Sequence, residues 1–150
     1  MKTPPKIVAL GAGRMGRGIA QVFAYAGFKV TIIDFKKRKK DASIALLAEC
    51  KSEIKENLKF LASLEALKLE EIPTILGRIH TISIENARES LANADYVFEG
   101  VPELIHAKED AIRRASSLVS DQTIIASTTS TMLVTQLMEF SSYPENFLNA

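Results

Sequence analysis

Apolar residues follow two alternating patterns along this chain, and the first 34 residues show both. Residues 6–10 form a short apolar run that ends at a glycine-rich turn. Residues 14–26 then place small and apolar side chains at helical spacing, and residues 29–34 are rich in β-branched side chains. The unbroken Ile32–Ile33 pair indicates a strand that is covered on both faces. A strand, a helix and a strand in this order predict the βαβ unit of a parallel sheet.

The remainder of the chain also alternates between helices and strands, after one unusually long helical segment. Residues 37–67 contain neither Gly nor Pro, and their apolar positions recur at threes, fours and sevens, which predicts a long helix. Further helices are predicted at 70–76, 86–92, 107–119 and 131–140, and further strands at 79–84, 96–100 and 123–126. The expected fold class is α/β: a Rossmann-type, doubly wound, mostly parallel sheet with a helical arm inserted after the second strand.

Composition and charge narrow the class of protein. A chain of 150 residues predicts one domain, here residues 1–150. A formal net charge of +1 gives no general attraction to nucleic acid or to anionic membranes, and no apolar run is long enough to cross a bilayer. The single cysteine, Cys50, cannot form an internal disulfide and is expected to be a packing residue of the long helix. We therefore expect a cytoplasmic protein with neither nucleic acid nor membrane as a partner.

The glycine-rich turn after the first strand is the first candidate site. It matches the pattern G-x-G-x-x-G, whose glycines allow a tight turn, close approach of the backbone to a pyrophosphate, and close packing of helix on strand. A helix that begins here directs its free N–H groups and positive dipole end at the phosphates. The predicted cofactor contacts are Gly11, Ala12, Gly13, Arg14, Met15 and Gly16.

An acidic residue at the end of the second strand favours NAD as the dinucleotide. Asp34 follows Gly11 at about the 20-residue spacing expected of the acid that binds the adenosine ribose hydroxyls. The same carboxylate would repel the additional phosphate of NADP. Five basic residues at 36–40 follow immediately. They are either a solvated start to the long helix or a site for a phosphate-bearing substrate carrier or NADP. Because of Asp34, NAD remains the expected cofactor.

Two further segments complete a set that points to one family. Residues 94–103 read ADYVFEGVPE and residues 125–131 read IASTTST. Together with residues 6–34 and the long helix after Asp34, they make the chain resemble the N-terminal domain of the 3-hydroxyacyl-CoA dehydrogenase family. The resemblance covers nearly the whole chain. It implies NAD-dependent oxidation of the 3-hydroxyl of a 3-hydroxyacyl-CoA to the 3-keto form by hydride transfer.

The resemblance also implies roles for single residues. Glu103 and Lys108 match positions beside the nicotinamide half of the cofactor, and Ser130 matches a catalytic serine that contacts substrate and nicotinamide. Two positions depart from the family pattern: Thr128 stands where relatives carry Asn, and Cys50 aligns with a serine that contacts CoA. Ser52 or Lys55 is the expected substitute for that serine.

The family resemblance places the general base outside the sequence in hand. The catalytic histidine is expected just past Ala150, followed by a helical domain that completes the pocket and a homodimer. We expect that domain to cover apolar side chains at Leu133, Leu137 and Phe147. Two other functions stay open: a 3-hydroxy-acid dehydrogenase acting on a substrate without CoA, such as carnitine or a sugar acid, and, for the isolated 150 residues, a non-catalytic NAD-binding module.

Several polar residues admit a structural role instead of a chemical one. His80 and His106 have no partner acid at an indicative spacing, so neither is expected to be catalytic. Glu99 either faces the ligand edge of the sheet or places its charge near the N-terminus of the next helix. Ser130 could also act as the N-cap of a helix that begins at Thr131.

Overall fold

A computed structural model describes residues 3–150 of the chain as one six-stranded sheet between two layers of helices. All five strand pairings are parallel, and the strand order is β3-β2-β1-β4-β5-β6. The predicted α/β doubly wound fold is therefore confirmed. The strands are β1 (Ile7–Leu10), β2 (Val30–Asp34), β3 (Ile79–Ser83), β4 (Tyr96–Glu99), β5 (Ile124–Ser127) and β6 (Phe147–Asn149).

Six α-helices connect the strands. Among the helices of residues 3–150, none is both long and apolar enough to cross a membrane. Short 3₁₀ turns lead into or follow several of them. The helices are α1 (Arg14–Tyr25), α2 (Lys40–Ser63), α3 (Ile72–Gly77), α4 (Ala87–Ala92), α5 (Ile105–Ser116) and α6 (Val134–Leu137).

The central strand β1 supplies side chains to both faces of the sheet, because successive residues of a strand point in opposite directions. Ile7 and Ala9 join a buried cluster with residues of α1, α2 and α3. Val8 and Leu10 join the opposite cluster with residues of α4, α5 and α6. All four residues of β1 are buried. This two-sided burial explains why the strand is an unbroken apolar run.

The long helix α2 is anchored along one stripe. Cys50, Ile54 and Leu58 recur every four residues and are all fully buried in the cluster that also contains residues of α1 and α3. Residues four apart lie on the same side of a helix, so this spacing holds α2 against its neighbours. The predicted packing role of Cys50 is confirmed.

The segment after β5 differs from the expected helix over 131–140. The helix α6 begins only at Val134, with Leu133 as its N-cap, and is followed by a 3₁₀ turn over Met138–Phe140. The prediction that Ser130 caps a helix starting at Thr131 is therefore wrong. Residues 129–132 form a turn instead, in which the Met132 N–H donates to the Thr129 hydroxyl at 3.2 Å and the hydroxyls of Thr129 and Thr131 both donate to Glu103.

Burial at the C-terminal edge also corrects one expectation. Leu133 is exposed as predicted, but Leu137 is fully buried and Phe147 is 7% exposed. Both buried side chains belong to the cluster that packs α5 on the sheet. Within this chain they therefore form part of the domain's own core and not a surface awaiting another domain.

Candidate functional site

A cleft of about 780 Å³ opens at the carboxyl ends of β1, β2 and β4. From β1 the sheet is extended on one side by β2 and β3 and on the other side by β4, β5 and β6, so the strand order reverses next to β1. Ligands of open α/β sheets bind at such switch points. The cleft is lined by most of the predicted site residues: Gly11, Ala12, Gly13, Arg14, Met15, Asp34, Glu103 and Ser130.

The three glycines of the loop have distinct geometry. Gly11 has a φ of +100°, a conformation that side chains disfavour. A Cβ built on Gly16 would lie 1.8 Å from the carbonyl oxygen of Gly11, so the turn and the first turn of α1 touch through backbone alone. A Cβ on Gly13 would meet nothing within 4 Å, because this residue borders the open cleft.

The N-terminus of α1 is directed at the same cleft. Gly13 is its N-cap and supplies no side-chain hydrogen bond, and the first turn holds no acidic residue. The first N–H groups of a helix have no carbonyl partner within it, and they carry the positive end of the helix dipole. Arg14, which is exposed and lines the cleft, adds a formal positive charge. This end of the cleft therefore fits an anion such as a pyrophosphate.

Asp34 ends β2 and is 2% exposed. Its two carboxylate oxygens both lie 3.1 Å from the Nε of Arg38, and its Oδ2 also accepts a hydrogen bond of 2.9 Å from the Ser43 hydroxyl. The sequence did not predict either partner. Asp34 is thus held at the edge of the cleft by the first residues of the segment that leads into α2.

Glu99 and Lys108 form an ion pair in which both side chains are fully buried. Lys108 Nζ lies 3.1 and 3.0 Å from the two carboxylate oxygens of Glu99. Glu99 also accepts hydrogen bonds from the Ser127 hydroxyl and from the N–H of Val101. Glu99 is buried and does not line the cleft, so its carboxylate does not face the ligand edge directly. Lys108 does not line the cleft itself.

Glu103 connects this buried pair to the cleft. Its Oε2 lies 3.2 Å from Lys108 Nζ, and its Oε1 accepts hydrogen bonds from the hydroxyls of Thr129 and Thr131. The hydrogen bond from Thr129, followed by those from Thr131 and Lys108, lowers the pKa of Glu103 to about 2 against the opposing effect of burial. Glu103 is therefore anionic at neutral pH. The exposed Ser130 lies between its two threonine partners in sequence.

Arg17 ties the glycine loop to the long helix. Its Nε donates to the carbonyl of Ala12 at 2.8 Å, and its guanidinium forms ion pairs with Glu53 and Glu49 of α2. The side chain is buried although it also borders the cleft. Sequence reasoning missed Arg17, because its acidic partners lie more than 30 residues away and no local pattern marks them.

Three residues that were considered for chemistry lie away from the cleft. Cys50 is fully buried next to Arg17, and burial raises the pKa of its thiol. His80 lies on the edge strand β3, and His106 is exposed in the first turn of α5. Neither histidine lines the cleft among residues 3–150.

Known proteins resemble this chain in sequence and in fold. The family model described as "3-hydroxyacyl-CoA dehydrogenase, NAD binding domain" matches residues 6–150. A "Probable 3-hydroxybutyryl-CoA dehydrogenase" of Deinococcus radiodurans is 32% identical over 143 residues, covering 95% of this chain and 48% of the relative. A "5-formyl-3-hydroxy-2-methylpyridine 4-carboxylate 5-dehydrogenase" of Mesorhizobium japonicum is 28% identical over 142 residues, with 95% and 42% covered.

A solved structure of a related dehydrogenase has the same fold. The (S)-3-hydroxybutyryl-CoA dehydrogenase of Ralstonia eutropha superposes with a TM-score of 0.83 at 27% identity, covering 97% of this chain and 48% of that one. The chain spans about half the length of the curated relatives it matches. Because the family model covers nearly the whole sequence, this chain belongs to the family of NAD-binding domains of 3-hydroxyacyl-CoA dehydrogenases.

Proposed function

We propose that this chain holds NAD(H) in the switch-point cleft and forms the cofactor half of an enzyme that oxidises the 3-hydroxyl of a 3-hydroxyacyl-CoA. The observation that carries the proposal is the convergence of the glycine loop, Asp34, Glu103 and Ser130 on one cleft. Their sequence positions span more than a hundred residues, and the fold alone brings them together.

The cleft has features that fit each part of the dinucleotide. The open space beside Gly13 and the free N–H groups of α1 suit the pyrophosphate. Asp34 suits the hydroxyls of the adenosine ribose, since a carboxylate accepts charge-assisted hydrogen bonds. Gly11, Ala12, Arg14 and Met15 line the same cavity, while Gly16 keeps the loop close to α1.

The opposite side of the cleft suits the nicotinamide and the substrate. Ser130 is exposed there and can donate a hydrogen bond to the reacting oxygen, so we assign it the catalytic contact. Glu103 lines the cleft, whereas Lys108 is buried beneath it. We therefore assign Lys108 a positioning role that acts through Glu103.

The oxidation removes a hydride and a proton from the substrate. When bound, the nicotinamide supplies the hydride acceptor, and the protein orients the substrate and accepts the proton of its hydroxyl. Ser130 would orient the hydroxyl of the substrate. General-base catalysis typically requires a histidine or carboxylate within reach of that hydroxyl. The carboxylate of Glu103 lines the cleft, and among residues 3–150 no histidine does. From the family resemblance, and not from the cleft itself, we propose a histidine as the general base.

Burial of Cys50 favours a second candidate function. In the family resemblance, this position carries a serine that contacts CoA, but here the side chain is fully buried and cannot contact a ligand. Ser52 and Lys55 are exposed on the same helix and are the alternative contacts. If they do not bind CoA, the substrate is a 3-hydroxy acid without CoA.

Two experiments test these assignments. Titration of the chain with NADH, followed by nicotinamide fluorescence, should give saturable binding, and its absence would reject the proposal. For the substrate, the full-length gene product should be assayed with NAD and either 3-hydroxybutyryl-CoA or free 3-hydroxybutyrate. A higher kcat/KM for the CoA ester supports the first function, and a higher value for the free acid supports the second.

The single cysteine, which is buried and not in a disulfide, suits a reducing compartment, and we propose a cytoplasmic location. We propose a homodimer for the full-length protein on the strength of the family resemblance. Size-exclusion chromatography with light scattering on the full-length gene product tests the oligomeric state.

A further inference from the structure

The carboxylate of Asp34 is already occupied by residues of its own chain. Arg38 Nε lies 3.1 Å from both oxygens, so its single hydrogen is shared between them, and the Ser43 hydroxyl donates to Oδ2 at 2.9 Å. With these two donors in place, the Asp34 side chain is only 3% exposed. The carboxylate is therefore not accessible to two ribose hydroxyls while Arg38 keeps this position.

Arg38 is the partner that can move. Its side chain is 34% exposed, whereas that of Asp34 is 3% exposed. Ser43 is buried in the first turn of α2, where the helix holds it in place. The hydrogen bonds of Arg38 within residues 3–150 use only Nε, so its two Nη groups keep their donors for another acceptor.

The surroundings of Asp34 carry more positive than negative charge. Residues 36–40 are all basic, and Lys36 lines the cleft together with Arg38. A planar guanidinium binds a phosphate through paired hydrogen bonds, which makes arginine suited to phosphate monoesters. The repulsion that an isolated Asp34 would exert on a phosphate is thus opposed by the positive charges of Arg38 and Lys36, which line the same cleft.

We propose that Arg38 makes the cleft accept dinucleotides with a 2′-phosphate, so that NADP(H) binds alongside NAD(H). The proposal rests on the proposed function, because it takes the cleft to be the dinucleotide site. Arg38 would turn its guanidinium from Asp34 to the 2′-phosphate when NADP(H) binds. It would withdraw from Asp34 when the two free ribose hydroxyls of NAD(H) bind.

This arrangement gives Arg38 opposite effects on the two cofactors. Binding of NAD(H) breaks the contact between Arg38 and Asp34, so loss of the guanidinium leaves NADH affinity unchanged or raises it. Binding of NADP(H) replaces the Asp34 contact by a phosphate contact, so loss of the guanidinium lowers NADPH affinity. A residue with a purely structural role would change both affinities in the same direction.

The test compares dissociation constants for NADH and NADPH, both followed by nicotinamide fluorescence. The variants are Arg38→Gln, Arg38→Lys and the matched control Lys37→Gln, which removes an exposed positive charge that does not line the cleft. We expect the unmodified chain to bind NADPH within about tenfold of NADH. Arg38→Gln should weaken NADPH by about tenfold or more with NADH unchanged or tighter. Arg38→Lys keeps the charge but loses the paired hydrogen bonds, so its NADPH affinity should fall between those of the unmodified chain and Arg38→Gln. Lys37→Gln should leave the ratio of the two constants unchanged.

Each result separates this inference from the proposed function. If NADH binds tightly and NADPH binds more than about tenfold more weakly, the inference is overturned. The proposal that the cleft binds NAD(H) then still stands. Equal weakening of both cofactors by Arg38→Gln also overturns the inference, as does a Lys37→Gln variant that behaves like Arg38→Gln. Failure to bind either cofactor rejects the proposed function itself.

Discussion

Lys108 donates hydrogen bonds to both carboxylate oxygens of Glu99 at 3.1 and 3.0 Å, and neither side chain is exposed. Removing one member of a buried pair leaves the other charge without compensation in a poorly solvated site. Glu99 ends β4 and Lys108 lies in α5, so the ion pair also links this strand to the next helix along the chain.

Lys108→Met should lower the free energy of unfolding by about 3–5 kcal/mol, because Glu99 remains buried with its charge. The measurement is urea denaturation followed by circular dichroism. The control is Lys59→Met, which breaks the exposed ion pair with Glu56 and should change stability by about 1 kcal/mol or less. Equal losses in the two variants would contradict the importance of the buried pair.

The glycine loop offers a pair of variants with contrasting outcomes. Gly13→Val should abolish NADH binding and preserve the fold, because a Cβ added there would meet nothing within 4 Å and the side chain would occupy the open cleft. Gly16→Ala should lower the melting temperature, because its Cβ would lie 1.8 Å from the Gly11 carbonyl oxygen.

Thermal denaturation and NADH titration on both variants separate these effects. Near-normal NADH affinity in Gly13→Val would mean that the loop is a structural turn and not a phosphate site. An unchanged melting temperature in Gly16→Ala would mean that the loop and the first turn of α1 can separate at little cost.

Parts of this site could be predicted from the sequence because their determinants are local. The spacing of Gly11, Gly13 and Gly16 follows from one turn, and Asp34 ends the next strand. The environment of Lys108 could not be predicted, because its partners Glu99 and Glu103 lie on the preceding strand and loop. Such a network depends on how β4, β5 and α5 pack and not on any spacing in the chain.

The turn after β5 was mispredicted for a related reason. Residues 131–140 have an apolar spacing that suits a helix, but the hydroxyls of Thr129 and Thr131 bind Glu103 and hold the chain in a turn. A contact over more than 25 residues thus overrides a local pattern. The result is that Ser130 is left exposed at the cleft instead of capping a helix.

Asp34→Ala should raise the dissociation constant for NADH by about tenfold or more, since it removes charge-assisted hydrogen bonds to the ribose. Asp41→Ala is the control, because it removes an exposed acid from the first turn of α2 without touching the cleft. Fluorescence titration of both variants gives the comparison. Tighter binding of NADPH than NADH by the unmodified chain would contradict the assignment of Asp34 to the ribose hydroxyls of NAD(H).

Glu103 should make the free energy of unfolding depend on pH only at acidic pH. Its pKa in the folded chain is about 2, below the usual value of 4.5, so the folded state favours the ionised carboxylate. A lowered pKa adds stability that is fully present above the usual value and is lost as the pH falls toward the folded one. The difference in unfolding free energy between the unmodified chain and Glu103→Gln should therefore be constant from pH 8 to about 5.

Below about pH 4.5 that difference should shrink and reach its minimum near pH 2. Urea denaturation at each pH measures it, with Glu145→Gln as a control that removes an exposed glutamate that does not line the cleft. The control should not reproduce the acid-dependent change. A difference that shrank between pH 8 and 6 would mean that Glu103 takes up its proton near neutral pH. Such a result would contradict the role of Thr129, Thr131 and Lys108 in keeping Glu103 anionic beside the cleft.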